Sequence, residues 1–158
     1  MRTGVLILTF VIAVAFFISA SQIIAADAGA QSVSAADRLS IEQSRYSGQW
    51  KGDDLTVEYS YSKDQGQMDI SGNIRFASFL ILGYTRLEDF RLGAIFLDEN
   101  GRVLKEIGLV ANHDAFDLIP FNHRINLPPN AVFMAFSYQG KATGVRRGRT
   151  SFWFYPIH

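Results

Sequence analysis

Between Leu87 and Val110 the chain reads LEDFRLGAIFLDENGRVLKEIGLV, two stretches with a two-residue period on either side of a turn signal. In the first, Phe90, Leu92, Ala94 and Phe96 alternate with Arg91, Gly93, Ile95 and Leu97. In the second, Val103, Ile107 and Leu109 alternate with Leu104, Glu106 and Gly108, and Lys105 interrupts the first set. Successive side chains of a strand point to opposite faces of a sheet, so this period predicts a hairpin. Asp98-Glu99-Asn100-Gly101 joins the two, and Asn-Gly supplies the positive φ angles that a tight hairpin turn requires.

The same alternation recurs along the chain. Leu55, Val57, Tyr59 and Tyr61 form one set, and Met68, Ile70, Gly72, Ile74 and Phe76 another, with a turn at Ser62–Gly66 between them. A short strand is expected around Ile119–Leu127, and Pro128-Pro129-Asn130 ends it, because proline has no N–H to give a ladder. Ala131–Tyr138 is nearly all apolar, as befits a central strand, and Ser151–Pro156 closes the set. About seven strands with turn signals between them, and no long amphipathic helix, predict an all-β fold. The expected architecture is an antiparallel β-sandwich of immunoglobulin-like type, and a closed barrel is the alternative.

Residues 1–30 differ from the rest. Met1-Arg2-Thr3 is a short basic start, Gly4–Ala20 carries no charge, and Ala28-Gly29-Ala30 has the small-x-small form of a cleavage site before Gln31. The stretch predicts a signal peptide or, if uncleaved, a membrane anchor, and either outcome puts the remainder outside the cytoplasm, in the periplasm or secreted. The Ser-, Ala- and Gln-rich stretch 31–48 is expected to be a linker with a short helix from Ser34, followed by the β-sandwich domain over 49–158.

Several of these residues resemble the small bacterial envelope domains named for a Phe-x-Leu-Tyr-Asp strand. The likeness is carried by Ile70-Ser71-Gly72-Asn73-Ile74, Phe90 to Asp98 with Asn100-Gly101-Arg102-Val103, Ile119-Pro120-Phe121 and Pro128-Pro129, between Leu55 and Tyr138. At the naming strand this chain reads Ala94-Ile95-Phe96-Leu97-Asp98, of which the Asp matches. The resemblance implies an extracytoplasmic immunoglobulin-like fold and carries over no catalytic residue.

Composition removes several function classes. There is no cysteine, hence no disulfide, thiolate metal site or thiol nucleophile, and the net charge of zero gives no bulk attraction to nucleic acid or to an acidic membrane surface, so membrane contact is expected only through the N-terminal segment if it is uncleaved. Neither a phosphate loop nor a Gly-x-Ser-x-Gly elbow is present, so no cofactor is expected and the chain reads as a binding or structural protein, not an enzyme.

Three features remain as candidate sites. Asp117 is the last acid in the chain. Residues 31–117 carry nine basic and fourteen acidic side chains, whereas 118–158 carry five basic side chains and no acid. Lys141, Arg146, Arg147 and Arg149, interleaved with Gly140, Gly144 and Gly148, are expected to form a basic loop that faces an anionic glycan, a lipid headgroup or an envelope protein. His113, Asp114, Asp117 and His123 fall close together and would suit a divalent metal in a hydrolase or lyase, although a polar loop is the expected reading. Trp153 and Tyr155 share one face of the last strand. They are expected to be covered by Tyr46 and Trp50, and if left exposed would make a carbohydrate-binding pair. Phe79–Tyr84, which has no charge, is expected to be buried and would otherwise mark a partner or membrane contact.

Overall fold

The computed structural model describes residues 31–158, so the leader or anchor expected over residues 1–30 lies outside the described residues. The alternating sets form strands as predicted: β3 (Leu55–Asp64), β4 (Gln67–Phe76), β5 (Arg86–Leu97), β6 (Val103–His113), β7 (Ile119–Asn126) and β8 (Phe133–Gly144), with β9 (Gly148–Phe154) closing the series. Residues 31–48, expected as a linker, contain the 3-10 turn Ala35–Asp37, β1 (Leu39–Ser40) and the start of β2 (Arg45–Lys51). Val33 and Ile41 from this stretch are fully buried.

Two antiparallel sheets result, in the order β2-β3-β4-β7 and β1-β8-β5-β6, and β9 pairs with the far part of β8 on the same side as β1. They face each other as a sandwich, and among the described residues no closed barrel forms. One sheet gives Leu55, Val57, Tyr59, Ile70, Ile74 and Phe76 to the core, and the other gives Phe90, Leu92, Phe96, Met134 and Phe136. Aromatic rings cross the interface edge to face, Tyr59 on Phe136 at 5.2 Å and Phe76 on Phe90 at 5.0 Å.

The turns differ from the expected assignment in an instructive way. Gln65 and Gly66 both have positive φ (47° and 78°) and join β3 to β4 as a two-residue primed turn. At the Asn-Gly site, Gly101 has φ 79° while Asn100 is not in that region. There the Gly101 N–H donates to the Asp98 carbonyl, and the Asn100 and Arg102 N–H groups donate to the Asp98 carboxylate at 2.9 Å. Asp98 therefore organises the turn, and Gly101 supplies the one left-handed residue after it.

A short helix, α1 (Ser78–Gly83), fills the connection from β4 to β5. Of its four apolar side chains only Leu80 is buried; Phe79, Ile81 and Leu82 are exposed, contrary to the burial expected for this stretch. With four consecutive apolar residues on one and a half turns, a helix can aim only part of the set at the core.

Candidate functional site

The outer face of the five-stranded sheet has two halves. On β5 the outward residues are Arg91, Gly93, Ile95 and Leu97, and on β8 they include Phe133, Ala135, Ser137, Gln139 and Lys141. Ile95, Leu97 and Ala135 are fully buried, because the two ends of the described chain lie over them. Val33 bridges Ile157, and both pack on this small second core with Val103 and Phe133. Beyond Ile95 that cover stops.

A polar bar marks the boundary. Glu106 on β6 accepts from the Ser137 hydroxyl at 3.3 Å and from the Tyr155 hydroxyl at 3.0 Å. These side chains cross the sheet above Gly93, which is opposite Ser137 on one side and Gly108 on the other. A Cβ at Gly93 would lie 2.7 Å from Ser137 Oγ and 3.2 Å from the Ile107 carbonyl, so the absence of a side chain there makes room for the bar. Burial first, and the Glu106 carboxylate second, push the Tyr155 hydroxyl above its usual range.

Past the bar lies an open groove of about 430 Å³. Its polar groups come from Arg91, Glu106 and Gln139, and its aromatic wall from Trp153 and Tyr155. Gly108 forms the floor, with nothing within 4 Å of where a Cβ would stand. Trp153 is 69% exposed and Tyr155 45%, so the expectation that Tyr46 and Trp50 cover them is corrected. Trp50 instead packs on the other side of the sheet, with Phe136 at 5.5 Å and Phe154 at 5.4 Å, and Tyr46 stacks on Tyr61 at 5.8 Å. One edge of the groove sits beside an irregularity in β5, where Glu88 pairs with Lys141 and Arg91 with Gln139. Three steps on one strand oppose two on the other, Asp89 takes φ 51°, and its carboxylate holds Arg91 at 3.2 Å.

The four cations of the expected basic loop are arranged differently. β8 and β9 continue almost to their shared turn, which is reduced to Val145-Arg146-Arg147, so Lys141 and Arg149 lie on paired strands. Glu88, brought in from β5, holds Arg149 at 3.3 Å and accepts from the Thr143 hydroxyl at 3.0 Å. Sequence order hid this acid, because Glu88 precedes the cationic segment by more than fifty residues and meets it only through the β5–β8 ladder. Lys141, Arg146 and Arg147 are exposed.

Of the His113–His123 segment, the His113 side chain lies outside the described residues. Among the described residues no three His, Asp or Glu side chains lie close enough to hold an ion. The His123 Nε2 lies 2.6 Å from the Leu109 carbonyl, a bond that ties β7 to β6 between the sheets, and Asp114 and Asp117 face solvent.

No protein-family model and no curated protein matches the chain, so the function is argued from this geometry.

Proposed function

We propose that this chain is an exported, non-catalytic β-sandwich protein of the cell envelope that binds carbohydrate in the groove walled by Trp153 and Tyr155. The observation that carries this reading is the pair of solvent-facing rings beside a fixed polar bar. A flat aromatic ring offers an apolar surface for the C–H face of a pyranose, while hydroxyl-bearing edges need donors and acceptors close by. Glu106 with oriented lone pairs, the Gln139 amide and the Arg91 guanidinium supply both kinds at the groove. A largely pre-formed concave site with a few convergent polar groups is the usual form of a small-ligand site. Export is supported by the composition of residues 1–30.

The immunoglobulin-like assignment belongs to the same proposal. β4 pairs with β7 and β5 with β8, so two successive strands in different sheets are each joined by a later one. That cross-pairing supports an immunoglobulin-like reading, and with it the likeness to the Phe-x-Leu-Tyr-Asp domains.

The test is a binding screen of the purified protein on an array of neutral and acidic oligosaccharides, beside Trp153→Ala and Glu106→Gln. Wild type should bind a subset of glycans, and Trp153→Ala should weaken that binding at least about tenfold, roughly 1.4 kcal/mol, with the fold unchanged. Equal binding by wild type and Trp153→Ala would sink the proposal.

A further inference from the structure

At one end of the sandwich, α1 and the β8–β9 turn form a single corner. The Thr85 N–H and hydroxyl both donate to the Thr143 carbonyl, at 2.9 and 3.2 Å. Gly144 approaches the Gly83 carbonyl so closely that a Cβ there would lie 2.8 Å from it, and the Arg147 side chain runs against Gly83. The corner projects beyond its surroundings. β5 pairs with β6 no further than Phe90–His113 but with β8 as far as Arg86–Thr143.

Its surface has two components. Leu82 is 86% and Val145 90% exposed, and Phe79 and Ile81 are also open to solvent. Beside them stand Arg86, Arg146 and Arg147, all exposed, and none of the three forms an ion pair among the described residues. The nearby carboxylate, Glu88, is taken by Arg149. Asp53 and Asp54 lie beside the start of α1, where the Ala77 N–H donates to the Asp54 carbonyl at 2.8 Å, and Asp114 and Asp117 belong to the connection that meets Phe76 through Phe116.

We infer that this corner docks on an anionic lipid bilayer, with Phe79, Ile81, Leu82 and Val145 entering the headgroup–acyl boundary and the cations meeting lipid phosphates. Leu82 and Val145 have almost no cover, and Leu80 is the one fully buried side chain of the helix. The guanidinium groups of Arg86, Arg146 and Arg147 on the same corner make it complementary to a negatively charged surface that is apolar beneath. A folded protein partner could match either component, but the two together, on a protruding tip, fit a bilayer best. The inference does not depend on the groove, whose Gln139 stands five residues along β8 from Gly144, about 17 Å away along an extended strand.

The test is flotation of the exported form from Gln31 onward, the part that carries the whole described fold, with vesicles of phosphatidylcholine and phosphatidylglycerol, and with phosphatidylcholine alone. Two double variants are compared with wild type in the same chain: Leu82→Ser with Val145→Ser, and Arg146→Ser with Arg147→Ser. All four sites are exposed, so circular dichroism should report an unchanged fold. Wild type should bind the anionic vesicles more tightly than the neutral ones, and raised salt should weaken the binding. Each double variant should lose about tenfold, burial of apolar surface and attraction of cations each contributing at that scale. In Leu82→Trp, brominated lipid should quench the added indole. Binding that survives both double variants, or no quenching of that indole, overturns the inference. A loss in the Arg pair alone also overturns it and leaves an anion-binding surface without insertion.

Discussion

The two outer faces of the sandwich are built from the same kind of alternation and end up with opposite characters. The four-stranded sheet turns Thr56, Glu58, Ser60, Ser71, Asn73 and Asn122 outward, short polar groups that water satisfies. Ser60 and Ser71 share a hydrogen bond at 3.3 Å, and Arg124 forks onto Asp69 at 2.6 and 2.9 Å. The five-stranded sheet turns Ile95, Leu97 and Ala135 outward at one end and Gly93, Gly108 and Trp153 at the other. The first half is closed by Val33 and Ile157. The second ends in a groove with its aromatic wall in solvent. A polar face is complete when hydrated, whereas an apolar one needs cover, and the half that the described chain leaves open is where a ligand has something to replace.

Substitutions on the covered half should have the largest effect. Ile95→Ala removes a fully buried side chain between two chain segments and is expected to cost about 2–4 kcal/mol, read as a lower denaturant midpoint with an unchanged slope. Gly101→Val comes next, at about 1–3 kcal/mol, since a β-branched residue resists φ 79°. Its side chain would also displace the Arg38 guanidinium, which is otherwise bonded to the Val33 carbonyl. An unchanged midpoint would show that this turn does not need a left-handed residue.

On the open half, stability and binding should separate. Trp153→Ala is expected to shift stability by no more than about 0.5 kcal/mol, because the ring is mostly solvated, while glycan binding falls. The polar face should be least sensitive. The hydrogen bond from Arg124 holds the Asp69 carboxyl below its usual range, so the pair favours the fold above the unfolded-state value and loses that contribution as pH falls through the folded one. Both groups are exposed, and Arg124→Ser should leave the neutral-pH midpoint nearly unchanged while an NMR titration shows the Asp69 carboxyl returning toward its ordinary value.

The contrast also separates what could be read from the chain and what could not. β3, β4 and β5 as far as Gly93 are legible because one side of each is buried, and a buried side imposes a period of two. β2 is not: Arg45-Tyr-Ser-Gly-Gln-Trp-Lys51 lies at a sheet edge with most of its residues exposed, so no apolar alternation marks it. The groove depends on register. Glu106, Ser137 and Tyr155 are ordinary residues far apart in sequence, and they meet only because β6, β5, β8 and β9 align them. A faint signal existed in Gly93 and Gly108, two glycines inside strand patterns, where a missing side chain often marks close approach or an opening. Trp153 was visible as a candidate, but its exposure was not, since its neighbours come from other strands.

The central claim is that the open half of this face is the ligand surface, and Trp153 can report on it directly. The chain has two tryptophans, so Trp50→Phe leaves Trp153 as the sole indole, with Phe retaining an aromatic ring against Phe136. Acrylamide quenching of that variant should be strong in the free protein and fall on titration with an oligosaccharide the protein binds, with a shift in emission. Glycan binding that leaves the emission and quenching of Trp153 unchanged would contradict the account.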